Sequence, residues 1–430
     1  MSLSRIDPYN GRGRLTDSRV QPGTRTKVEE SLRKGAPKDV EHQLTIAAFA
    51  PNEWFGRTVS RQHLLSGLAR RGWPVVYSSG VPSAGSSRFG GLSWAGSFVD
   101  DQGVHVARPS KLLPRWKSFP LWDRMAVTAH GHQVRFLARR ARGMRLICYA
   151  FHPSFLRYVD SMRGDFLVYH AYDAYSLTRG WTKTHERWQA ELVQRANLVI
   201  GASQSILDLL PPCAGKAREL TNGADFAAFA AGPATPCPAD LAEIPHPRIC
   251  YAGAVNAKVD VELILELARR HREWNWVVLG EDLLSNPKPG AAAVLEAHRQ
   301  AWKAALALPN VHFLGLRPLE KVPSYVGHAD VNVMIYRSST EGWWSHGSPL
   351  KMHEYLATGN PVVSASLPTV TPYSSVIALA DSLEEWESAI SAAVATGGVG
   401  TPAERQAVAS QNGWETRVSQ LEQWLWEFCR

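Results

Sequence analysis

Long apolar runs, paired cysteines and a leader-like start are what this sequence lacks. No stretch approaches the roughly 18 or more apolar residues that a bilayer-spanning helix requires, so no transmembrane segment is expected. The first residues are polar, basic and interrupted by Pro8 and Pro22, which does not fit a secretory leader. Cys148, Cys213, Cys237, Cys250 and Cys429 form no CxxC pair and no ligand-type spacing. That pattern argues against a structural zinc site and for a reducing, cytoplasmic setting. No nucleic-acid-binding module is recognisable, and no nucleic-acid partner is expected.

What is present is the balance of a globular chain. Hydrophobic residues make up 45% and charged residues 20% of 430 positions, too many for one ordinary core, so two domains with terminal elaborations are expected. Lys and Arg outnumber Asp and Glu by 47 to 39, for a net charge of +8. Phosphorylated substrates and anionic lipid lead among the partners that such a surplus attracts.

Residues 1–42 are rich in Arg, Lys, Gly, Pro and Asp and read as a flexible basic tail. Regular structure begins with Leu44-Thr45-Ile46-Ala47-Ala48-Phe49-Ala50, a run typical of a strand buried on both faces. Val59, His63, Leu64 and Leu68 recur at helical spacing over 58–71, Gly72 stops that helix, and the next strand starts at Pro74. This βαβ unit is the building block of a parallel sheet. Further strands are expected over 145–151, 166–169 and 197–201, and a helix over 184–195. Five prolines fall within 233–247, which reads as a linker, and the α/β rhythm restarts at Arg248. The expected organisation is an N-terminal Rossmann-like domain over 43–232 and the linker 233–247. A C-terminal Rossmann-like domain over 248–400 follows, with helices over 401–430. Ligands of open parallel sheets sit beyond the carboxyl ends of the strands, so a site is expected in the cleft between the two sheets.

The stretch Gly347-Ser348-Pro349-Leu350-Lys351-Met352-His353-Glu354-Tyr355 carries the most chemistry. Ser348 suits an N-cap, Pro349 the first helical position, and Gly359 the helix end. The helix start then offers free N–H groups and a positive dipole end, a natural seat for phosphate, with Lys351 adding charge. Glu354 lies three residues on, roughly 4.5 Å further along the axis. That offset suits a diphosphate at the tip and a ribose diol at the carboxylate. The same spacing also suits a plain solvated helix face.

Several segments together resemble GT-B glycosyltransferases, especially the retaining family 4 of cell-wall and exopolysaccharide type. They are Glu354-Tyr355-Leu356-Ala357 with Gly359 to Val363, Asn310 to Gly315 with Pro318 and Tyr325, Asn222-Gly223-Ala224-Asp225 with Phe229, and Asn197 to Ser203. Trp414 matches the helix that crosses back to the N-terminal domain in that family. The resemblance spans about 44–428 and implies an α/β protein of two Rossmann-like, doubly wound parallel-sheet domains facing across a cleft. The implied activity is hexosyl transfer from a UDP- or GDP-linked sugar, with retention, to a glycan or polyprenyl-diphosphate-linked acceptor, in polysaccharide biosynthesis. No metal and no cofactor beyond the nucleotide sugar is implied. Ser348, Pro349, Leu350, Lys351 and Glu354 fall at the donor site, joined by Gly253 and Lys258 from the loop after the first C-terminal strand.

Two departures stand out. His346 occupies the position, eight before Glu354, where the family usually has a Glu facing the donor sugar. The family's Gly-Gly loop is reduced to Gly56, followed by Arg57, near the acceptor side. In the N-terminal half, Val168-Tyr169-His170-Ala171-Tyr172-Asp173 ends a buried strand. His170 is a candidate for bonding donor sugar or acceptor, and Asp173 for orienting the acceptor hydroxyl or serving as base. His152 is a candidate for lining the same cleft. A satisfied histidine beside a helix cap is the plainer alternative.

Over 111–145, nine Lys and Arg meet a single acid, Asp123, with Trp116, Phe119, Leu121, Trp122 and Met125 interleaved. This composition suits contact with an anionic membrane surface, or a helix with a solvated basic face. Two other readings of the whole chain remain open: a catalytically silent sugar-nucleotide-binding protein, favoured by His346, and a sugar-nucleotide epimerase, which would need clustered carboxylates.

Overall fold

The computed structural model describes residues 44–56, 58–85, 94–116, 118–140, 145–285, 295–337 and 342–429. The expected tail 1–42 and Arg57 lie outside the described residues. Fourteen strands are described, in two sheets. The first contains β1 (Leu44–Phe49), β2 (Val75–Ser78), β3 (Gly96–Val99), β4 (His105–Arg108), β5 (Arg145–Ala150), β6 (Phe166–Ala171), β7 (Leu198–Gly201) and β8 (Ala217–Glu219). Their order is β3-β4-β2-β1-β5-β6-β7-β8, and all pairings are parallel except β3 with β4. The second sheet contains β9 (Arg248–Ala252), β10 (Asn275–Leu279), β11 (Val311–Gly315), β12 (Val331–Met334), β13 (Val362–Ser364) and β14 (Ala378–Leu379). It is parallel throughout, in the order β11-β10-β9-β12-β13-β14.

The apolar runs explain the centre of each sheet. Every residue of β1, β6 and β10 is buried, because helices cover both faces. Strand order reverses between β1 and β5 in one sheet and between β9 and β12 in the other, so both switch points open at the carboxyl edges. Among the described residues no helix is long and apolar enough to cross a membrane.

The domain boundaries differ from expectation. The Pro-rich segment 233–247 is not a free linker: Leu241 and Ile244 pack with Cys250, Val277 and Leu279 of the C-terminal sheet and with Tyr325 of the helix Val322–Gly327. Asp240 accepts from Arg317 at 2.6 Å and from the Tyr325 hydroxyl at 2.8 Å, pinning the segment further. Its prolines shape turns in a packed layer. The helix Phe226–Ala231 also belongs to the second domain, because Phe229 enters that core. At the other end, the helix Pro402–Gln411 stays with the C-terminal domain, where Arg405 donates to the Gly359 carbonyl at 2.9 Å. Of the C-terminal helices, only Trp414–Phe428 crosses back, placing Val418, Leu421 and Leu425 in the N-terminal core. Arg71 binds Glu415 and Glu422 along it.

The chain therefore passes between domains twice, and the two crossings touch. Ala224 N–H donates to the Asn412 carbonyl at 3.0 Å, and Trp414 N–H donates to the Ala224 carbonyl at 3.2 Å. Gly223 permits this approach, since a Cβ there would lie 2.9 Å from the Trp414 nitrogen. The Trp414 ring stacks on His63, centroids 4.5 Å apart.

Candidate active site between the domains

The helix Leu350–Thr358 starts at the domain interface, with Leu350 packed against the N-terminal core. Pro349, not Ser348, takes the capping position, with extended backbone at φ −66° and ψ 121°. Among the described residues no side chain caps this end. Ser348 is drawn elsewhere: its Oγ accepts from the Asn222 N–H at 3.2 Å, and its carbonyl accepts from Asn222 Nδ2 at 2.5 Å. Asn222 Oδ1 in turn accepts from Ser60 Oγ at 2.5 Å. A polar chain thus runs from the first N-terminal helix, Ser60–Arg70, through the crossing turn to the tip of the C-terminal helix. The positive end of the helix dipole thus lies at the domain junction without a side-chain cap, the Met352 N–H bonding the Pro349 carbonyl at 3.2 Å.

Lys351 and Glu354 share one face of that helix. Lys351 is buried, with Nζ 3.7 Å from the Tyr251 ring centroid and 5.6 Å from that of Tyr336. The same ammonium lies against Gly253, where any Cβ would stand 2.4 Å from it. A side chain at Gly253 would therefore displace the cation, which explains glycine in the loop after β9. Burial pushes the Glu354 carboxyl up to about 8, Lys351 opposes that rise, and Asp225 reinforces it. Glu354 as a residue is half-buried.

On the opposite wall, Asp173 follows β6 and stands between cations of both domains. Burial raises its pKa, and Arg61 and then Lys258 hold it down. Arg61, in the first turn of the helix Ser60–Arg70, is buried, donates to Asn52 Oδ1 and lies 5.1 Å from the Tyr172 ring centroid. Lys258 reaches across from the loop after β9, 5.4 Å from the Tyr336 ring and 5.8 Å from that of Trp343. His346 ties the walls together: its carbonyl accepts from Ser203 Oγ, and its Nδ1 pairs with Ser205 Oγ at 2.5 Å.

Comparison with known proteins fits this arrangement. Residues 246–395 match the family described as Glycosyl transferases group 1. The teichuronic acid biosynthesis glycosyltransferase TuaH of Bacillus subtilis, itself a putative assignment, is 26% identical over 156 residues, 36% of each chain. The matched stretch thus spans about a third of that relative. Among solved structures, Anabaena HepE in complex with UDP and glucose superposes with a TM-score of 0.63 at 16% identity, covering 89% of this chain and 99% of that one. Sucrose-phosphate synthase from Thermosynechococcus elongatus gives 0.62 at 15% identity, covering 89% and 98%. The fold is GT-B.

In this GT-B chain, His346 and Ser348 bond Ser203 and Asn222, Leu350 packs on the N-terminal core, Lys258 interacts with Asp173, and Gly253, Lys351 and Glu354 lie together on the C-terminal side of the junction, with Pro349 at the start of their helix. His170 is a correction. It is fully buried, bonds Tyr149 through Nδ1 at 2.8 Å and lies under Tyr172 with centroids 4.2 Å apart, so it cannot touch a ligand in the cleft. Burial and then Arg61 hold its pKa low, which keeps it neutral. Gly56 is exposed with φ +105°, and a Cβ there would meet nothing within 4 Å, so it serves its turn and no close contact. His152 caps a short turn, accepting from the Ser154 N–H at 3.1 Å, beside Tyr175. Asp260 caps the helix Val261–Arg270. Arg61, Tyr251 and Tyr336 are additions that the sequence left unmarked, and Asn222, noted there only within a family-like turn, gains a role at the junction. Arg61 did leave a signal: a cation in a helix's first turn opposes the dipole and needs another reason to be there. Among the described residues, no group of three or more His, Cys, Asp or Glu could hold a metal ion.

Proposed function

We propose that this protein is a glycosyltransferase that moves a hexose from a UDP-linked donor to a glycan or lipid-linked acceptor, with retention, in cell-wall polysaccharide synthesis. The observation that carries the proposal is the helix Leu350–Thr358, which starts at the domain junction without a side-chain cap and bears Lys351 and Glu354, while Lys258 of the same domain interacts with Asp173 of the other. The donor diphosphate seats on the tip N–H groups beside Lys351 and Lys258, and the ribose diol donates to Glu354. The bond from the anomeric carbon to the diphosphate breaks with oxocarbenium character. The acceptor oxygen bonds to the same face, and its proton passes to the departing phosphate oxygen. The fixed cations and helix dipole stabilise the charge that develops on the leaving group. Asp173 orients the acceptor hydroxyl, and Arg61 opposes the rise that burial imposes on its pKa. No metal is invoked.

The test is calorimetric titration with UDP- and GDP-sugars, followed by donor hydrolysis and transfer assays. Binding with slow donor hydrolysis, accelerated by acceptor, is the expected result. Binding without turnover would make this a silent binding protein, and interconversion of free sugar nucleotides would make it an epimerase.

A further inference from the structure

Water faces an unusual amount of apolar surface just beyond β4. Trp116 is 50% exposed, Phe119 56%, Leu121 80% and Met125 57%, all within ten residues, with Leu112 and Trp122 also exposed beside them. These side chains stand on an ordered platform. The buried Asp123 carboxylate accepts from Arg115 at 2.9 and 2.8 Å and from Arg157 at 3.3 Å. The Arg115 backbone bonds Pro82 and Ala84 at 2.9 and 2.8 Å, and Trp122 Nε1 donates to the Pro114 carbonyl at 2.8 Å. A patch of this size, held outward by fixed scaffolding, marks an interaction surface.

Topology gives its location. The chain leaves β4 at Arg108 and returns along the helix Pro120–Arg140 to start β5 at Arg145. β4 and β5 both run parallel to the centre of the sheet, so the loop and the start of this helix lie at its carboxyl edge. That edge also carries Ser60 and Asp173, so the apolar patch and the candidate site share one edge of the sheet.

Charge narrows the partner. Asp123 is the only acid between Asp101 and Asp160, and it is spent internally, while Arg108 and Arg124 are exposed beside the patch. Two copies meeting through this face would oppose cations of the same sign, which disfavours self-association. An anionic lipid surface complements both the apolar side chains and the cations.

We propose that this face docks on an anionic bilayer, with Trp116, Phe119, Leu121 and Met125 entering the headgroup boundary and Arg108 and Arg124 meeting lipid phosphates. The docking stands apart from the transferase reading; that it points the cleft mouth toward a lipid-linked acceptor rests on that reading.

The experiment uses the full chain and vesicles of phosphatidylcholine, alone or mixed in equal parts with phosphatidylglycerol. The protein should sediment with the anionic vesicles, less so as salt rises. The double variant L121S/M125S should partition at least tenfold less, as should R124E, with unchanged UDP-sugar affinity and melting temperature. Wild-type partition by these variants, equal binding to both vesicle types or no sedimentation would overturn the proposal. So would vesicle-free self-association that L121S/M125S abolishes. Vesicle binding by a protein that fails to bind UDP-sugars would sink the transferase reading and leave this one standing.

Discussion

Glu354 offers a sharp test of the donor site, because its protonation should set the affinity for the nucleotide. Its carboxyl is pushed up to about 8 by burial, with Lys351 opposing and Asp225 adding to the rise. Two ribose hydroxyls donate best to a carboxylate, which leaves the protonated form a poor acceptor. If the ionised form alone binds, affinity scales with the ionised fraction, about one in a hundred at pH 6 and one in two at pH 8 for such a group. The expected gain between these pH values is thus about fiftyfold, or roughly 2.3 kcal/mol. The ligand should be a UDP-sugar, whose diphosphate is esterified at both ends and does not titrate in this window. Calorimetry from pH 6 to 8.5 should show affinity rising in the wild type and flat in Glu354→Gln. Stability moves the other way. A carboxyl whose folded pKa lies above its unfolded value binds more protons when folded, so it stabilises at low pH and loses that contribution as pH rises from 4.5 through about 8. Glu354→Gln should accordingly melt higher than the wild type at pH 8 in the absence of ligand. A wild-type affinity that tracks the Gln variant across the range would remove Glu354 from the nucleotide site.

Removing Arg61 should act through Asp173. Arg61→Ala should lower kcat/KM by about 10- to 100-fold, near the 1.5–3 kcal/mol of a charge-assisted contact, and shift the acidic limb of the pH–rate profile upward. A profile unchanged in position would refute that coupling. Asn222→Ala strips partners from Ser60 and Ser348 at the domain junction and should cost about 1–3 kcal/mol of stability by denaturant titration; a loss within about 0.5 kcal/mol, the scatter of surface positions, would show the polar chain to be incidental. His346→Ala keeps the Ser203 bond, which goes to the main chain, so stability should fall by no more than about 1.5 kcal/mol. Its discrimination between UDP-glucose and UDP-galactose, measured as a ratio of kcat/KM values, should change more than its affinity for UDP.

Much of this arrangement was legible in the chain itself. Continuous apolar runs at Leu44 and Phe166 announce strands covered on both sides, and Gly359 marks the end of the helix that holds Lys351 and Glu354. β3, β8 and β14 leave weaker traces because they are short, lie at or next to sheet edges and include exposed or half-exposed residues. Ser348 looked like a cap because local chemistry favours it, but Asn222, 126 positions away, competes for its oxygen and wins. Prolines in 233–247 signal turns, and turn chemistry alone does not distinguish a free connector from a packed one. His170 was placed at the right strand end, but β6 is buried on both faces, so position along a strand says little about access. Asp173, one step past Tyr172, emerges where the strand has ended.

The paired crossings at Ala224 and Trp414 make the two covalent connections behave as one pivot. Any relative movement of the lobes would swing about that point, as a pair of jaws swings on a single pin. Displacement then grows with distance from it, so the grip of Ser203 and Ser205 on His346 would open before the contacts beside the pin itself.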